Sequence, residues 1–202
     1  MASSARLKIV VMLGSVRTGR NCDRVWKFIK PKLEARGHEI CLVDPLNVGF
    51  ELMRNPLHFY KDPSEAPDGV RWLNENVKTA DAYLLIAPEY NRTISPVITN
   101  LLDHCPPKIY KYKPSAIVCY SLGPGGGVVM VSQLRAMMTE LGACPIPNVM
   151  SVGSVTQHID DSGGGIGEKV DQLNGKVTKL LTELEWYATA MKTKRDTDGL
   201  PD

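Results

Sequence analysis

Long apolar runs, blocks of one charge and paired cysteines are what this 202-residue sequence lacks. The first apolar stretch, Leu7 to Leu13, is far short of the roughly 20 residues that a membrane-spanning helix needs, and its flanks are not those of a signal peptide. Lys and Arg number 24 against 22 Asp and Glu, a net charge of +2 with no single-sign block in the body of the chain. That balance argues against a nucleic-acid or membrane-surface protein and leaves a small molecule as the expected partner. The five cysteines (Cys22, Cys41, Cys105, Cys119, Cys144) are odd in number and scattered, with no C-x-x-C pair and no histidine at metal-ligand spacing. Reduced thiols and a cytoplasmic location are therefore expected, with no metal site. At 43% apolar and 23% charged residues the chain is ordinary for a globular protein, and its length allows one large domain but not two catalytic ones.

What is present is an alternation of short apolar runs with helical periodicity. Leu7 to Leu13 reads as a strand ending at Gly14, and Cys22, Val25, Trp26, Ile29 and Leu33 follow at helical spacing until Gly37. His38 to Val43 reads as a second strand. Asp44 to Asp68 carries four prolines and reads as a long irregular excursion before a helix from about Gly69 to Thr79. Ala82 to Ala87 is a third strand with almost no polar relief, as expected where helices cover both faces of a sheet. Ser95-Pro96 has the chemistry of a helix start. Ala116 to Tyr120 is a fourth strand, Val128 to Leu141 a helix closed by Gly142, Asn148 to Val152 a fifth strand, and Val170 to Leu184 a last amphipathic helix. The polar end, from Thr193, is expected to fray. The pattern predicts one α/β domain with helices on both faces of a parallel sheet. It directs attention to the loops after strands one, three and four, at the carboxyl edge where such sheets bind ligands.

The first of these, Gly14-Ser-Val-Arg-Thr-Gly-Arg-Asn21, suits an anion: two glycines let the backbone curl, Ser15 and Thr18 offer hydroxyls, Arg17 and Arg20 offer charge, and a helix starts behind it. An ordinary strand-helix turn is the plainer alternative. The spacing of a triphosphate loop is present, but Arg20 and Asn21 stand where Lys and Ser/Thr are needed; the dinucleotide fingerprint fails at Val16, so a monophosphate fits better. In Pro88-Glu-Tyr-Asn91, Tyr90 offers a flat ring and Asn91 a donor and acceptor, while Glu89 is a general acid or base or else holds the loop through backbone N–H groups. The third loop, Ser121 to Gly127, is glycine-rich and lets N–H groups approach a planar ligand; a merely flexible loop is the alternative. His104 and Cys105 read as structural.

Taken together, Gly14-Ser-Val-Arg17, Pro88-Glu-Tyr-Asn91 with Asn100 and Asp103, and Gly123-Pro-Gly-Gly-Gly127 resemble the NADPH-dependent FMN reductases of the flavodoxin-like superfamily, which include quinone, azo-dye and chromate reductases. The resemblance runs from about Leu7 to Glu185. It implies a three-layer sandwich with a five-stranded parallel sheet in the order 2-1-3-4-5, an N-terminal arm over 1–6, an FMN-binding domain over 7–190 and a polar tail over 191–202. It places the FMN phosphate at Ser15, Arg17, Thr18, Gly19, Arg20 and Asn21, and the ring along Pro88, Glu89, Tyr90 and Asn91 and under Ser121, Gly123 and Gly126. No protein group is implied as catalytic, because flavin N5 carries the hydride between NADPH (or NADH) and a quinone-like, azo or other small acceptor.

A homodimer or dimer of dimers is implied, with the excursion's Phe50, Leu57, Phe59 and Tyr60 as contributors or as packing for their own domain. Val128-Val-Met130 departs from the family, which commonly has an arginine there; the helix-opening proline stands one place later than usual. A flavin-binding redox sensor and a phosphate-loop enzyme without flavin are the competing readings.

Overall fold

A computed structural model of the chain describes residues 6–49 and 51–201. Of the proposed arm only Arg6 falls among them, and Phe50 lies outside them. The parallel sheet is built from β1 (Lys8–Leu13), β2 (Glu39–Val43), β3 (Ala82–Tyr90), β5 (Pro114–Tyr120) and β6 (Cys144–Val152) in the order β2-β1-β3-β5-β6. This is the expected 2-1-3-4-5 arrangement once β4 (Thr93–Ile94), a short antiparallel addition to β3, is set aside. The helices are α1 (Cys22–Glu34), α2 (Pro45–Val48), α3 (Asp68–Thr79), α4 (Pro96–Asp103), α5 (Val129–Glu140), α6 (Val155–His158) and α7 (Val170–Asp198). None is long and apolar enough to cross a membrane.

Strand periodicity divides the core in two. Ile9, Val11 and Leu13 of β1 and Leu84 and Ile86 of β3 face a layer containing Val25 and Ile29 of α1 and Val177, Leu181 and Leu184 of α7. Val10 and Met12, with Tyr83 and Leu85, face the opposite layer, where Leu73 of α3, Leu101 of α4 and Leu134 of α5 pack. Both sides of each central strand are buried, which is why those strands read as unbroken apolar runs.

Two departures from the sequence reading have simple causes. The last strand begins at Cys144 rather than Asn148, because Pro145 and Pro147 are tolerated in β6 at the sheet edge, where a missing N–H costs no ladder bond. The final helix does not fray at Thr193 but continues to Asp198, since Arg195 donates to the Tyr112 carbonyl (2.7 Å) and to Asp81 Oδ1 (3.0 Å), and Lys192 also reaches Asp81 (3.2 Å). Asp81 in turn accepts the Lys8 N–H, so the end of the chain is fastened to the start of the sheet. The excursion is as irregular as its prolines imply: α2 and two single 3₁₀ turns, Leu57–Phe59 and Pro63–Glu65.

Candidate cofactor site

A cleft of about 440 Å³ opens at the carboxyl edge of the sheet between the loops after β1, β3 and β5. Its walls include Ser15, Arg17, Thr18, Gly19, Arg20 and Asn21 from the first loop, Pro88, Glu89 and Tyr90 from the second, and Ser121 and Gly123 from the third. Tyr120 and Leu122 complete it.

The first loop is held at its root by Ser95. That side chain accepts the Ile98 N–H, capping α4 as the Ser95-Pro96 pair predicts, and donates to the Gly14 carbonyl at 2.6 Å. Gly14 must be glycine, because a Cβ there would lie 2.8 Å from Ala87 Cβ; the loop therefore leaves β1 pressed against β3. Ser15 is buried, and its Oγ shares a 2.8 Å hydrogen bond with Tyr90 Oη, which ties the first loop to the second. The Arg17 guanidinium stacks 3.8 Å above the centre of the Tyr90 ring.

Asn21 occupies the N-cap of α1 but makes no capping bond with its side chain, so the first N–H groups of α1 point into the loop without a side-chain acceptor from it. Arg20 behaves differently from Arg17. Its guanidinium is forked onto Asp44 (2.7 and 2.5 Å), pairs with Asp23 (2.8 Å) and donates to the Ser15 carbonyl (2.8 Å). It braces the loop from behind, and its bond to Asp44 raises its own pKa further.

Glu89 makes the backbone contacts that the structural one of its two roles requires. Its Oε2 accepts the Val129 and Met130 N–H groups (2.9 and 3.3 Å), capping α5, whose own N-cap Val128 has no side chain able to do so. Replacing Glu89 with alanine is expected to lower the unfolding free energy by about 1 kcal/mol, and glutamine by less, because an amide oxygen still accepts. Glu89→Gln is also expected to leave the pH profile of turnover unchanged; a flattened basic or acidic limb would return Glu89 to acid–base chemistry.

Two sequence candidates fall outside the cleft. Asn91 and Arg92 form the turn between β3 and β4, with φ of 51° and 65°, and Asn91 is exposed at its tip. The left-handed pair suits a two-residue hairpin, for which an Asn opening the turn is the one visible sequence signal. Gly126 faces β6 instead: its φ is 66°, and a Cβ would come within 2.0 Å of Ser151 Oγ. Gly123, by contrast, has open space beside it and lines the cleft.

Asn100 lies away from the cleft and pins the excursion, its amide accepting the Met53 N–H (2.8 Å) and donating to the Glu51 carbonyl (2.9 Å). His104 and Cys105 are buried beside it, and burial lowers the histidine and pushes the Cys105 thiol up to about 12. Sequence reasoning missed two cleft residues, Leu122 and Tyr120, of which Tyr120 is the more instructive. It reads as an ordinary strand residue, yet it lines the cleft, and its buried hydroxyl meets the Cys22 thiol of α1.

The family model for NADPH-dependent FMN reductases matches residues 7–157. Over 187 residues, covering 92% of this chain and 95% of the relative, the sequence is 27% identical to the NADPH azoreductase of Bacillus sp. (strain OY1-2). It is 25% identical to the 2-hydroxy-1,4-benzoquinone reductase of Burkholderia sp., across 94% of this chain and 98% of the relative. Among solved structures, the flavoenzyme NAD(P)H:acceptor oxidoreductase FerB from Paracoccus denitrificans superposes with a TM-score of 0.69 at 24% identity, covering 90% of this chain and 98% of that one. Set beside the doubly wound sheet and the three-loop cleft, the match over residues 7–157 means that this chain belongs to the NADPH-dependent FMN reductase family, oxidoreductases that use FMN with NADPH or NADH as co-substrate.

Proposed function

We propose that the cleft holds FMN with its phosphate at residues 15–21 and its ring between Pro88–Tyr90 and Ser121–Gly123, and that the reduced protein passes electrons to quinone-like or azo acceptors. The observation that carries this reading is the α1 N-terminus, uncapped by Asn21 and flanked by Arg17 and the Ser15–Tyr90 pair, in a cleft that Tyr120, Ser121, Leu122 and Gly123 also line. The residues present fit the group. Arg20 Nε is buried beside the loop with no hydrogen-bond partner among the described residues, and Gly123 leaves room for a ring.

When bound, FMN supplies the two-electron chemistry, and the protein supplies binding, orientation and access. Ser15, Thr18 and Arg17 offer donors and charge to the phosphate, and Arg20 fixes the loop that presents them. Tyr90 and Pro88 give an apolar floor for a flat ring. Exposed Leu122, Val128 and Val129 around the third loop make an apolar rim suited to an aromatic acceptor, where the family commonly has an arginine. The relatives named as azoreductase and quinone reductase support the same acceptor class.

Two coarser features extend the proposal. The five unpaired cysteines suit the reducing cytoplasm. The excursion presents Leu46, Leu52 and Phe59 to solvent, at 56%, 82% and 68% exposure, and this supports a homodimer through that face; Leu57 and Tyr60 are half-buried against their own domain.

Titration with FMN, anaerobic reduction by NADPH and by NADH, and turnover with a benzoquinone and an azo dye test the reading. Stoichiometric FMN binding followed by nucleotide-dependent acceptor reduction is the expected result. Failure to bind FMN would overturn it, and a bound flavin that is reduced but turns over no acceptor would make the protein a redox sensor instead.

A further inference from the structure

A second cavity, of about 310 Å³, lies behind the wall of the first: Gly123 faces the cofactor cleft and Pro124 faces this one. The wall is stapled in place. Ser154 donates its N–H to the Gly123 carbonyl (2.8 Å) and Val155 donates to the Ser121 carbonyl (3.1 Å). Gly153 packs so closely that a Cβ there would lie 2.2 Å from the Pro124 oxygen. The cavity is therefore a fixed feature of the sheet edge rather than slack between loops.

The chemistry of its lining is one-sided. Lys169 and Lys176 of the α7 region bring two ammonium groups, the second of which also donates to the Ser151 carbonyl (3.4 Å), Gln172 and Ser154 bring neutral donors, and among the described residues no carboxylate lines it. Nδ1 of His158, on the same wall, is buried with no hydrogen-bond partner among the described residues. These groups come from three separate stretches, 151–154, 158 and 169–176, so no local motif announces them.

We propose that this cavity is an anion subsite that takes the 2′-phosphate by which NADPH differs from NADH. The proposal rests on the reductase reading of the first cleft, whose wall it shares. A phosphate monoester brings close to two negative charges and three acceptor oxygens, and the cavity answers with two lysines and neutral donors. Gly123 lines one cavity and Pro124 the other, so a dinucleotide whose nicotinamide sits at the first cleft would reach the second with the phosphate of its other end.

The test compares the FMN-loaded wild type with the double variant Lys169→Gln, Lys176→Gln. Both lysines are exposed, so the fold does not depend on them, and FMN content serves as the control for folding. Calorimetric titrations use adenosine 2′,5′-bisphosphate, adenosine 5′-monophosphate and inorganic phosphate, and steady-state kinetics give kcat/KM with NADPH and NADH. The wild type is expected to prefer the bisphosphate over the monophosphate by about tenfold or more, the scale of a solvent-screened charge-assisted contact. The double variant should lose that preference, and its NADPH-to-NADH ratio of kcat/KM should fall by a similar factor.

Binding of inorganic phosphate without any preference between the two nucleotides would assign the cavity to a free anion and overturn the NADPH assignment. An unchanged preference in the double variant would overturn the subsite. The bisphosphate titration needs no flavin, so a lysine-dependent preference in protein that fails to bind FMN would separate failure of the first-cleft reading from failure of this one.

Discussion

Replacing Asp44 with alanine is expected to lower the free energy of unfolding by about 3 kcal/mol and to weaken FMN binding with it. The carboxylate and the Arg20 guanidinium form a forked pair, with side chains 12% and 6% exposed. Removing one partner leaves a charge in a place built for two, which costs about 3–5 kcal/mol in such settings. The lower end applies because Asp23 keeps one arm of the fork. The cofactor is affected because Arg20 also holds the Ser15 carbonyl and so sets the course of the phosphate loop.

The pair also has a pH signature. Burial works to raise the Asp44 carboxyl, but the Arg20 and Leu46 bonds overcome it and leave the group below the ordinary carboxylate range in the folded protein. Its stabilising contribution is therefore complete above the pKa of the unfolded chain and is lost as pH falls through the lower, folded value. Denaturant unfolding between neutral and acid pH is expected to show that loss in the wild type and a shallower acid limb in Asp44→Ala. A variant within 1 kcal/mol of wild type at neutral pH would make the pair incidental.

Where the sequence was legible, the governing interactions are local. Ser95-Pro96 opens α4 because a hydroxyl and a ring-locked φ act within one turn. The runs Leu7 to Leu13 and Ala82 to Ala87 are strands with two buried faces because period-two burial on both sides leaves no polar position. Where it was not legible, the deciding partner is distant. Arg195 looks like part of a solvated tail until Asp81, 114 positions away in the chain, is seen to hold it.

Arg17 and Arg20 look equivalent in one loop until Asp44 claims the second. The glycines Gly123 and Gly126 are indistinguishable in sequence, and only the packing of Ser151 against the second shows that one faces the cleft and the other the sheet. Tyr120 was missed for a related reason. A strand's last residue gives no local sign that its hydroxyl ends buried beside a binding loop.

The same division of labour makes Arg17 the decisive side chain for the cofactor. Arg20 is committed to Asp44, Asp23 and the Ser15 carbonyl, whereas Arg17 is exposed and its guanidinium rests on the Tyr90 ring at the mouth of the cleft. It is the loop arginine left available to meet an anion, and stacking holds it close to where one would bind against the α1 N-terminus.

Arg17→Ala is expected to raise the FMN dissociation constant by about ten- to a hundredfold, the range for losing one charge-assisted partner of a phosphate. Arg17→Lys should recover part of it, because the charge returns without the planar fork that stacks on Tyr90. Riboflavin, which lacks the phosphate, should bind the wild type and Arg17→Ala alike, and the difference between the two flavins should shrink as salt rises. Fluorescence titration of both flavins at two ionic strengths measures all of this. An FMN affinity unmoved by Arg17→Ala would remove the phosphate from this loop, and an equal loss for riboflavin would mean that Arg17 supports the ring floor through Tyr90 rather than the anion.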